Sequence, residues 1–188
     1  MDKGILQYIE QLQVSLNALP IAEIETLVQV LLDARAQGKQ VFVMGNGGSA
    51  ATASHMACDL GKGASMPGKP RFKVIALTDN IPLITAWAND AAYEDIFVEQ
   101  LRNLVQPGDV VIGFSGSGNS ENVLRAMHLA NEAGAYTVGL TGFDGGKLHP
   151  LVDLGIHVEN GCMEQVEDIH LIIEHAIAVR LRECSGMK

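Results

Sequence analysis

The stretch from Val41 to Leu60, VFVMGNGGSAATASHMACDL, most constrains what this chain can fold into. Its apolar start, Val41–Met44, is typical of a buried parallel strand, and Gly45-Asn46-Gly47-Gly48 then turns the chain into a helix that begins near Ser49. Glycines let a ligand approach the backbone closely, and the free N–H groups at a helix start favour an anion such as phosphate. The stretch therefore predicts a strand, a turn and a helix N-terminus that together form an anion-binding site.

His55 and Asp59 follow in the same predicted helix, four residues apart, which places both side chains on one face. A ligand held at Gly47–Ser49 would therefore meet an imidazole and a carboxylate. The turn also satisfies the G-x-G-x-x-A form of a dinucleotide-binding fingerprint. However, the acidic residue of that fingerprint is expected about 20 positions on, and Asp79 lies about ten positions further than that. A dinucleotide therefore ranks below a sugar phosphate as the predicted ligand.

Length and charge narrow the class of protein. A chain of 188 residues suits one domain with a full hydrophobic core. The formal net charge of −9 argues against nucleic acid or an anionic membrane as the main partner, and small phosphorylated metabolites stay open. No apolar run approaches about 18 residues, and MDKGILQYIE lacks the features of a signal peptide, so a cytoplasmic protein is expected. The cysteines have no CxxC spacing and are predicted to be free thiols: Cys58, Cys162 and Cys184.

Apolar runs alternate with amphipathic segments along the chain, which predicts a doubly wound, flavodoxin-like α/β fold with a parallel sheet. The first segment carries an apolar stripe that needs a partner surface, on its own domain or on another subunit: Ile5, Ile9, Leu12, Leu16 and Leu19. A second helix is predicted from Pro20 to Gln37, ending at Gly38. We expect a single domain over residues 1–188, in which N-terminal helices at 1–38 extend a sheet-and-helix unit at 39–183.

The remaining predicted elements follow the same alternation. Strands are predicted at 41–44, 72–77, 110–114, 136–140 and 154–158, and helices at 82–88, 93–105, 121–133 and 163–182. A mobile loop is predicted at 61–71, and Asn89-Asp90 is expected to interrupt the chain between two helices. In such sheets ligands bind beyond the carboxyl ends of the strands.

A second turn, SGSGNS from Ser115 to Ser120, also lies between a predicted strand and a predicted helix. It supplies three hydroxyls at a helix N-terminus and lacks the lysine of a P-loop. Such neutral donors suit a phosphate that is held and not transferred. The turn is therefore predicted to be a phosphate cradle, and the alternative is an ordinary Ser/Gly turn with a capping serine.

The last predicted helix carries Glu167 and His175 eight residues apart, so both side chains can face one site. With His55 and Asp59 they form a ligand set that suits zinc or a similar divalent ion. The alternative is a solvated acidic face, because other polar residues share the helix: Glu164, Asp168, His170 and Glu174. The remaining histidines have no partner pattern and are predicted to be structural or surface residues: His128, His149 and His157.

Taken together, these motifs resemble the sugar isomerase (SIS) domain family. The resemblance is carried by GNGGS with His55 and an acid in the next helix, by Asn89-Asp90, by SGSGNS, by TGFDGG at 141–146, and by the acid and histidine of the last helix. It implies an aldose–ketose isomerase that interconverts sedoheptulose 7-phosphate and D-glycero-D-manno-heptose 7-phosphate through an enediol, for surface heptose biosynthesis. It also implies a cytoplasmic homotetramer with sites between subunits and one zinc ion, or another divalent metal, per subunit.

The same resemblance assigns roles to residues. It implies that the sugar is held by Asn46, Gly47, Gly48, Ser49, Asp59, Asn89, Asp90 and Glu167, and its phosphate by Ser115, Gly116, Ser117 and Ser120. The implied metal ligands are His55, Asp59, Glu167 and His175. Asp59 is expected to take the carbon-bound proton and His175 to serve the oxygens.

The chain departs from the family pattern at three places. Asp59 stands where the family usually has Glu, Glu167 where it has Gln, and Gly61-Lys62-Gly63 where Arg and aromatic residues often follow. Two alternatives therefore stay open. One is an isomerase of another sugar phosphate, and the other is a non-catalytic SIS protein that senses a sugar phosphate or binds a protein partner.

Overall fold

The structure is a computed structural model that describes residues 4–184 and 186, and within these residues five parallel strands form one sheet. The strands are β1 Gln40–Gly45, β2 Lys73–Ala76, β3 Val110–Ser115, β4 Tyr136–Thr141 and β5 Leu154–His157. Their order across the sheet is β2-β1-β3-β4-β5. Because β1 and β3 are neighbours, the turns that follow their carboxyl ends lie side by side.

Helices cover both faces of this sheet, as predicted for a doubly wound fold. They are α1 Gly4–Asn17, α2 Ile21–Gln37, α3 Gly48–Cys58, α4 Ile81–Asp90, α5 Val98–Arg102, α6 Glu121–Glu132 and α7 Met163–Cys184. Successive side chains of β1 alternate between two hydrophobic layers. Val41 and Val43 pack with α2, α3 and α7, whereas Phe42 and Met44 pack with α5 and α6.

The first helix has two different halves. Leu12 and Leu16 pack against the core beside α2, which fits the predicted stripe. The N-terminal half of that stripe is exposed, since Ile5 and Ile9 keep 80% and 46% of their surface accessible. Within the described residues no single helix is long and apolar enough to span a membrane, and α1 and α2 reach that limit only as a pair bent by 68°.

The structure corrects several predicted boundaries. The helix predicted at 93–105 is a 3-10 turn, Tyr93–Asp95, followed by the short α5, and Ile96 and Phe97 between them are buried in the core. Asn89 and Asp90 do not interrupt the chain but form the last turn of α4. Part of the predicted loop at 61–71 belongs to a π-helical turn, Asp59–Gly63, that continues α3. The predicted C-terminal Gly38 of α2 is confirmed, with a φ of 67°.

Candidate active site

The first turn joins β1 to α3 through a backbone conformation that only glycine adopts easily. Gly47 precedes the helix with a φ of 56° and a ψ of −124°. Gly48 then begins α3, and the Glu167 carboxylate from α7 packs directly over it, so that a Cβ at Gly48 would collide with Glu167. Ser49 is buried next to it. The structure therefore brings together four residues predicted to touch the sugar: Gly47, Gly48, Ser49 and Glu167.

Asn46 is held by two residues that the sequence analysis did not select. Its side-chain amide exchanges hydrogen bonds with that of Asn122 on α6, at 2.8 Å and 3.0 Å. The hydroxyl of Tyr93 donates to Asn46 Oδ1 at 3.0 Å. Asn122 is 2% exposed, so this amide pair ties the first turn to the helix that follows the second turn. An Asn inside a predicted helix is unfavourable, and that would have been the signal in the sequence.

The second turn, Ser115–Ser120, folds its hydroxyls toward one another. Ser115 Oγ donates to Ser120 Oγ at 3.2 Å, and the Asn119 N–H donates to Ser117 Oγ at 3.2 Å. Ser120 precedes α6, but its side chain makes no capping hydrogen bond. The capping serine of that alternative is therefore not observed at Ser120. The Val123 N–H donates to Asn122 Oδ1 at 2.9 Å, which leaves the N–H groups of residues 121 and 122 as the ones that an anion could meet at the start of α6.

The TGFDGG turn at 141–146 and the residues just after it form backbone hydrogen bonds with the second turn. The Gly142 N–H donates to the Gly116 carbonyl at 2.8 Å, and the Leu148 N–H donates to the Gly118 carbonyl at 2.9 Å. Gly118 has a φ of 66°, and a Cβ there would collide with the carbonyl oxygen of Gly145. These contacts fix the shape of the cradle through backbone groups.

Two histidines and two carboxylates meet where α3 and α7 pack together. Each of His55, Asp59, Glu174 and His175 offers one ligand atom, and these atoms all lie within 4.8 Å of one another. The two Nε2 atoms of His55 and His175 are 3.2 Å apart. Nitrogens bound to one tetrahedral zinc at about 2.0–2.1 Å lie about 3.3–3.4 Å apart, so the observed spacing fits a shared divalent ion.

Asp59 enters this group from a widened helical turn. It begins the π-helical segment Asp59–Gly63, which packs against α7. Single π-turns inside helices are rare and are frequent at functional sites. His55 on α3 and Asp59 just beyond its end reach the same four-residue group, as their spacing predicted.

Glu174 was not selected as a ligand, and Glu167 lies outside this four-residue group. Glu174 is 1% exposed, and its Oε2 has no hydrogen-bond partner among the described residues. Burial, and to a smaller extent the charge of Asp59, raises the pKa of Glu174 to about 7. The sequence feature that could have indicated Glu174 as a ligand is its position directly before His175.

The solvated acidic face considered for α7 is wrong for two of its residues. His170 and Glu174 are each 1% exposed. Helix α7 packs against both α2 and α3, so residues beyond its apolar stripe are buried as well. Burial lowers the pKa of His170 to about 4, and the backbone of Thr141 opposes that shift. Glu164 and Asp168 are exposed, as that alternative expects.

Other residues complete the account of the predictions. Asn89 Nδ2 donates to Asp90 Oδ1 at 2.7 Å, and both side chains are exposed at the end of α4. The prediction of free thiols is confirmed for the three cysteines. The rings of His149 and His157 lie 5.5 Å apart, and neither residue belongs to the four-residue group.

The fold and these groups define a class: an α/β domain with a glycine turn and a serine turn after neighbouring parallel strands, and a histidine–carboxylate cluster between two of its helices. The profile of the SIS domain family matches residues 6–142, and the chain belongs to that family. The sequence is 41% identical over 155 residues to the phosphoheptose isomerase of Geotalea daltonii, covering 82% of this chain and 80% of that protein. It is 37% identical over 177 residues to that of Paramagnetospirillum magneticum, covering 94% and 91%.

A solved structure gives the same result at the level of fold. The structure of a phosphoheptose isomerase from Francisella tularensis superposes with a TM-score of 0.88 at 28% sequence identity. The superposition covers 96% of this chain and 97% of that chain. Similarity on this scale includes the N-terminal helices as well as the sheet.

Proposed function

We propose that this chain is an aldose–ketose isomerase that interconverts sedoheptulose 7-phosphate and D-glycero-D-manno-heptose 7-phosphate, supplying heptose for surface polysaccharides. One observation carries the proposal: two imidazoles and two carboxylates meet between α3 and α7, and the two strands that are followed by the glycine turn and the serine turn are neighbours in the sheet. The serine turn suits a phosphate, and the imidazoles and carboxylates suit proton transfer. The similarity to named phosphoheptose isomerases supports the seven-carbon substrate.

The phosphate is held by hydroxyl and backbone groups of residues 115–120. Ser115, Gly116, Ser117 and Ser120 surround the N-terminus of α6, where N–H groups and the helix dipole favour an anion. Because the phosphate does not react, it needs hydrogen bonds and no charge neutralisation in a transition state. Anchoring it fixes which carbon of the sugar faces Asp59.

The reaction moves one proton between adjacent carbons through an enediol. Asp59 takes the proton from the carbon next to the carbonyl and returns it to the neighbouring carbon. His175 delivers a proton to the carbonyl oxygen and removes one from the neighbouring hydroxyl, so charges balance over the cycle. Asn46, Gly47, Gly48, Ser49, Asn89, Asp90 and Glu167 are the residues proposed to hold the sugar.

A divalent metal fits the four-residue group, and zinc suits its nitrogen and oxygen ligands. His55, Asp59 and His175 would hold it together with a carboxylate of α7. A bound metal would polarise the carbonyl and so favour removal of the neighbouring proton. The proposal further includes a homotetramer with sites between subunits and a cytoplasmic location, where a charged sugar phosphate is retained by membranes.

Replacing Asp59 with Asn tests the assignment of the base. The zinc-supplemented wild type is incubated with sedoheptulose 7-phosphate in deuterated water, and both aldose and deuterium at the carbon next to the carbonyl are followed. We expect both signals in the wild type. In Asp59→Asn both rates should fall about 10²–10⁴-fold, which is the usual contribution of a positioned base to the rate. Asp33→Asn, which removes an exposed carboxylate on α2, should leave both rates unchanged.

The same experiment separates catalysis from binding. An Asp59→Asn variant that exchanges deuterium at the wild-type rate would show that another group is the base. If the wild type shows neither aldose nor exchange, while sedoheptulose 7-phosphate raises its melting temperature, the site binds the sugar without turning it over. A sensing role or a different sugar phosphate would then replace the proposed reaction.

A further inference from the structure

Two glutamates of α7 are candidates for the carboxylate that completes the metal site. Glu167 and Glu174 are seven residues apart, which places them on nearly the same side of the helix but about 10 Å apart along its axis. They therefore lie beside different parts of α3. Their surroundings decide which of the two can bind a metal together with His175.

We propose that Glu174, and not Glu167, is the α7 carboxylate that binds the divalent ion with His55, Asp59 and His175. The inference deepens the proposed function and rests on it for the role of the site. It assigns Glu167 instead to the sugar, at the first turn.

The position of Glu174 fits a ligand. Its Oε2 lies 3.7 Å from His175 Nε2 and belongs to the set of ligand atoms that are all within 4.8 Å of one another. The side chain is 1% exposed, and Oε2 has no hydrogen-bond partner among residues 4–184 and 186. Burying an ionised carboxylate without a partner costs free energy of folding. A divalent cation bound by the neighbouring imidazoles of His55 and His175 would supply that partner.

The charge of the set agrees with this assignment. Asp59 and Glu174 together carry two negative charges when ionised, which matches a divalent cation, and the two histidines bind as neutral ligands. The arrangement is therefore most favourable with a metal between them.

The position of Glu167 fits a different role. Its half-buried carboxylate lies against Gly48, at the start of α3, where a helix has backbone N–H groups without an intrahelical partner. There it can accept hydrogen bonds from sugar hydroxyls. Its negative charge also disfavours a phosphate at the first turn, which directs the phosphate to the Ser115–Ser120 turn.

Matched variants of the two glutamates test the inference by metal binding. Metal-free full-length wild type, Glu174→Gln and Glu167→Gln are titrated with Zn²⁺ against a chromophoric chelator, and their Co²⁺ absorption spectra are recorded. Mutating the groups that hydrogen-bond to metal ligands already lowers metal affinity about 10–100-fold. Loss of a ligand itself should therefore weaken Zn²⁺ binding at least about tenfold. We expect that loss, with an altered Co²⁺ spectrum, in Glu174→Gln, and wild-type affinity and spectrum in Glu167→Gln.

Several outcomes would overturn the inference. It is wrong if Glu167→Gln weakens Zn²⁺ binding and Glu174→Gln does not, if both weaken it equally, or if the wild type binds neither ion. Glu174→Met, which has similar volume and no charge, gives the same test should the Gln variant misfold. The proposed isomerase is judged separately, because deuterium exchange into sedoheptulose 7-phosphate is measured on the same wild-type sample.

Glu167→Gln also provides a readout on the sugar. If the carboxylate accepts hydrogen bonds from sugar hydroxyls, its replacement should raise KM for sedoheptulose 7-phosphate while Zn²⁺ affinity stays unchanged. An unchanged KM with unchanged metal affinity would remove Glu167 from the site.

Discussion

His170 and Glu174 show how burial changes the chemistry of single residues on α7. Both are 1% exposed, and burial favours the neutral form of each. It lowers the pKa of His170 to about 4 and raises that of Glu174 to about 7. Neither effect is visible in the sequence, where both residues stand among polar neighbours.

The buried His170 predicts that stability depends on pH. Between about pH 6.5 and 4 the unfolded chain protonates this imidazole while the folded protein does not, so unfolding is favoured as the pH falls. Over that window the loss from His170 alone is about 3 kcal/mol, at about 1.4 kcal/mol per pKa unit. Above pH 6.5 the contribution is constant, because both states hold a neutral ring.

Urea unfolding of metal-free wild type and His170→Leu between pH 7.5 and 4.5 measures this effect. Leu has similar volume and suits the contact with Phe114, whose ring centroid lies 6.0 Å from that of His170. The wild type should lose stability relative to the variant as the pH falls, and the effect of Glu174 cancels in the difference. Parallel curves for the two proteins would show that folding does not lower the pKa of His170.

At the scale of elements, the local units were predictable and their mutual packing was not. The strand, glycine turn and helix from Val41 onward follow from neighbouring residues, and so does the serine turn after β3. At the break between Tyr93–Asp95 and α5, Ile96 and Phe97 pack into the core, and such tertiary packing overrides the local helix propensity on which the prediction rested. The choice between Glu167 and Glu174 likewise depends on how α7 lies against α3, which spacing on one helix does not specify.

The contact between the second turn and the TGFDGG turn gives a prediction at this scale. Gly118→Ala places a Cβ at a φ of 66° and against the Gly145 carbonyl oxygen, so the two turns must separate. A strain of 1 kcal/mol or more should lower the melting temperature by at least about 2–4 °C. Because the cradle is distorted, KM for sedoheptulose 7-phosphate should rise as well.

Gly161→Ala is the matched control for that substitution. A Cβ at Gly161 meets nothing within 4 Å, and its φ lies outside the left-handed range. Its melting temperature and KM should stay at wild-type values. Wild-type behaviour of Gly118→Ala would show that the TGFDGG turn does not shape the cradle.

At the scale of the whole molecule, α1 presents apolar surface that its own subunit does not cover. Ile5, Leu6 and Val14 are 80%, 62% and 70% exposed, whereas Leu12 and Leu16 pack on the core. Leu6 and Val14 lie about 80° apart around the helix, so they can belong to one exposed apolar surface, as is found at protein–protein interfaces. A second copy of the chain is the partner that the proposed homotetramer supplies.

Charges on this surface should therefore weaken the assembly. Leu6→Glu combined with Val14→Glu places two carboxylates where apolar contact is proposed, and sedimentation velocity should show smaller species than the tetramer proposed for the wild type. Gln13→Glu adds a charge at an exposed polar position of the same helix and should leave the assembly intact. A wild type that sediments as a monomer would contradict the proposed tetramer directly.

The same variant tests whether the sites are shared. If residues of a neighbouring subunit complete each site, isomerase activity should fall over the concentration range in which the double variant dissociates, and Zn²⁺ should still bind, because His55, Asp59, Glu174 and His175 belong to one chain. Dissociated subunits with full activity would place the whole site within one chain. In that case Asn89 and Asp90, exposed at the end of α4, would have to reach the sugar of their own subunit.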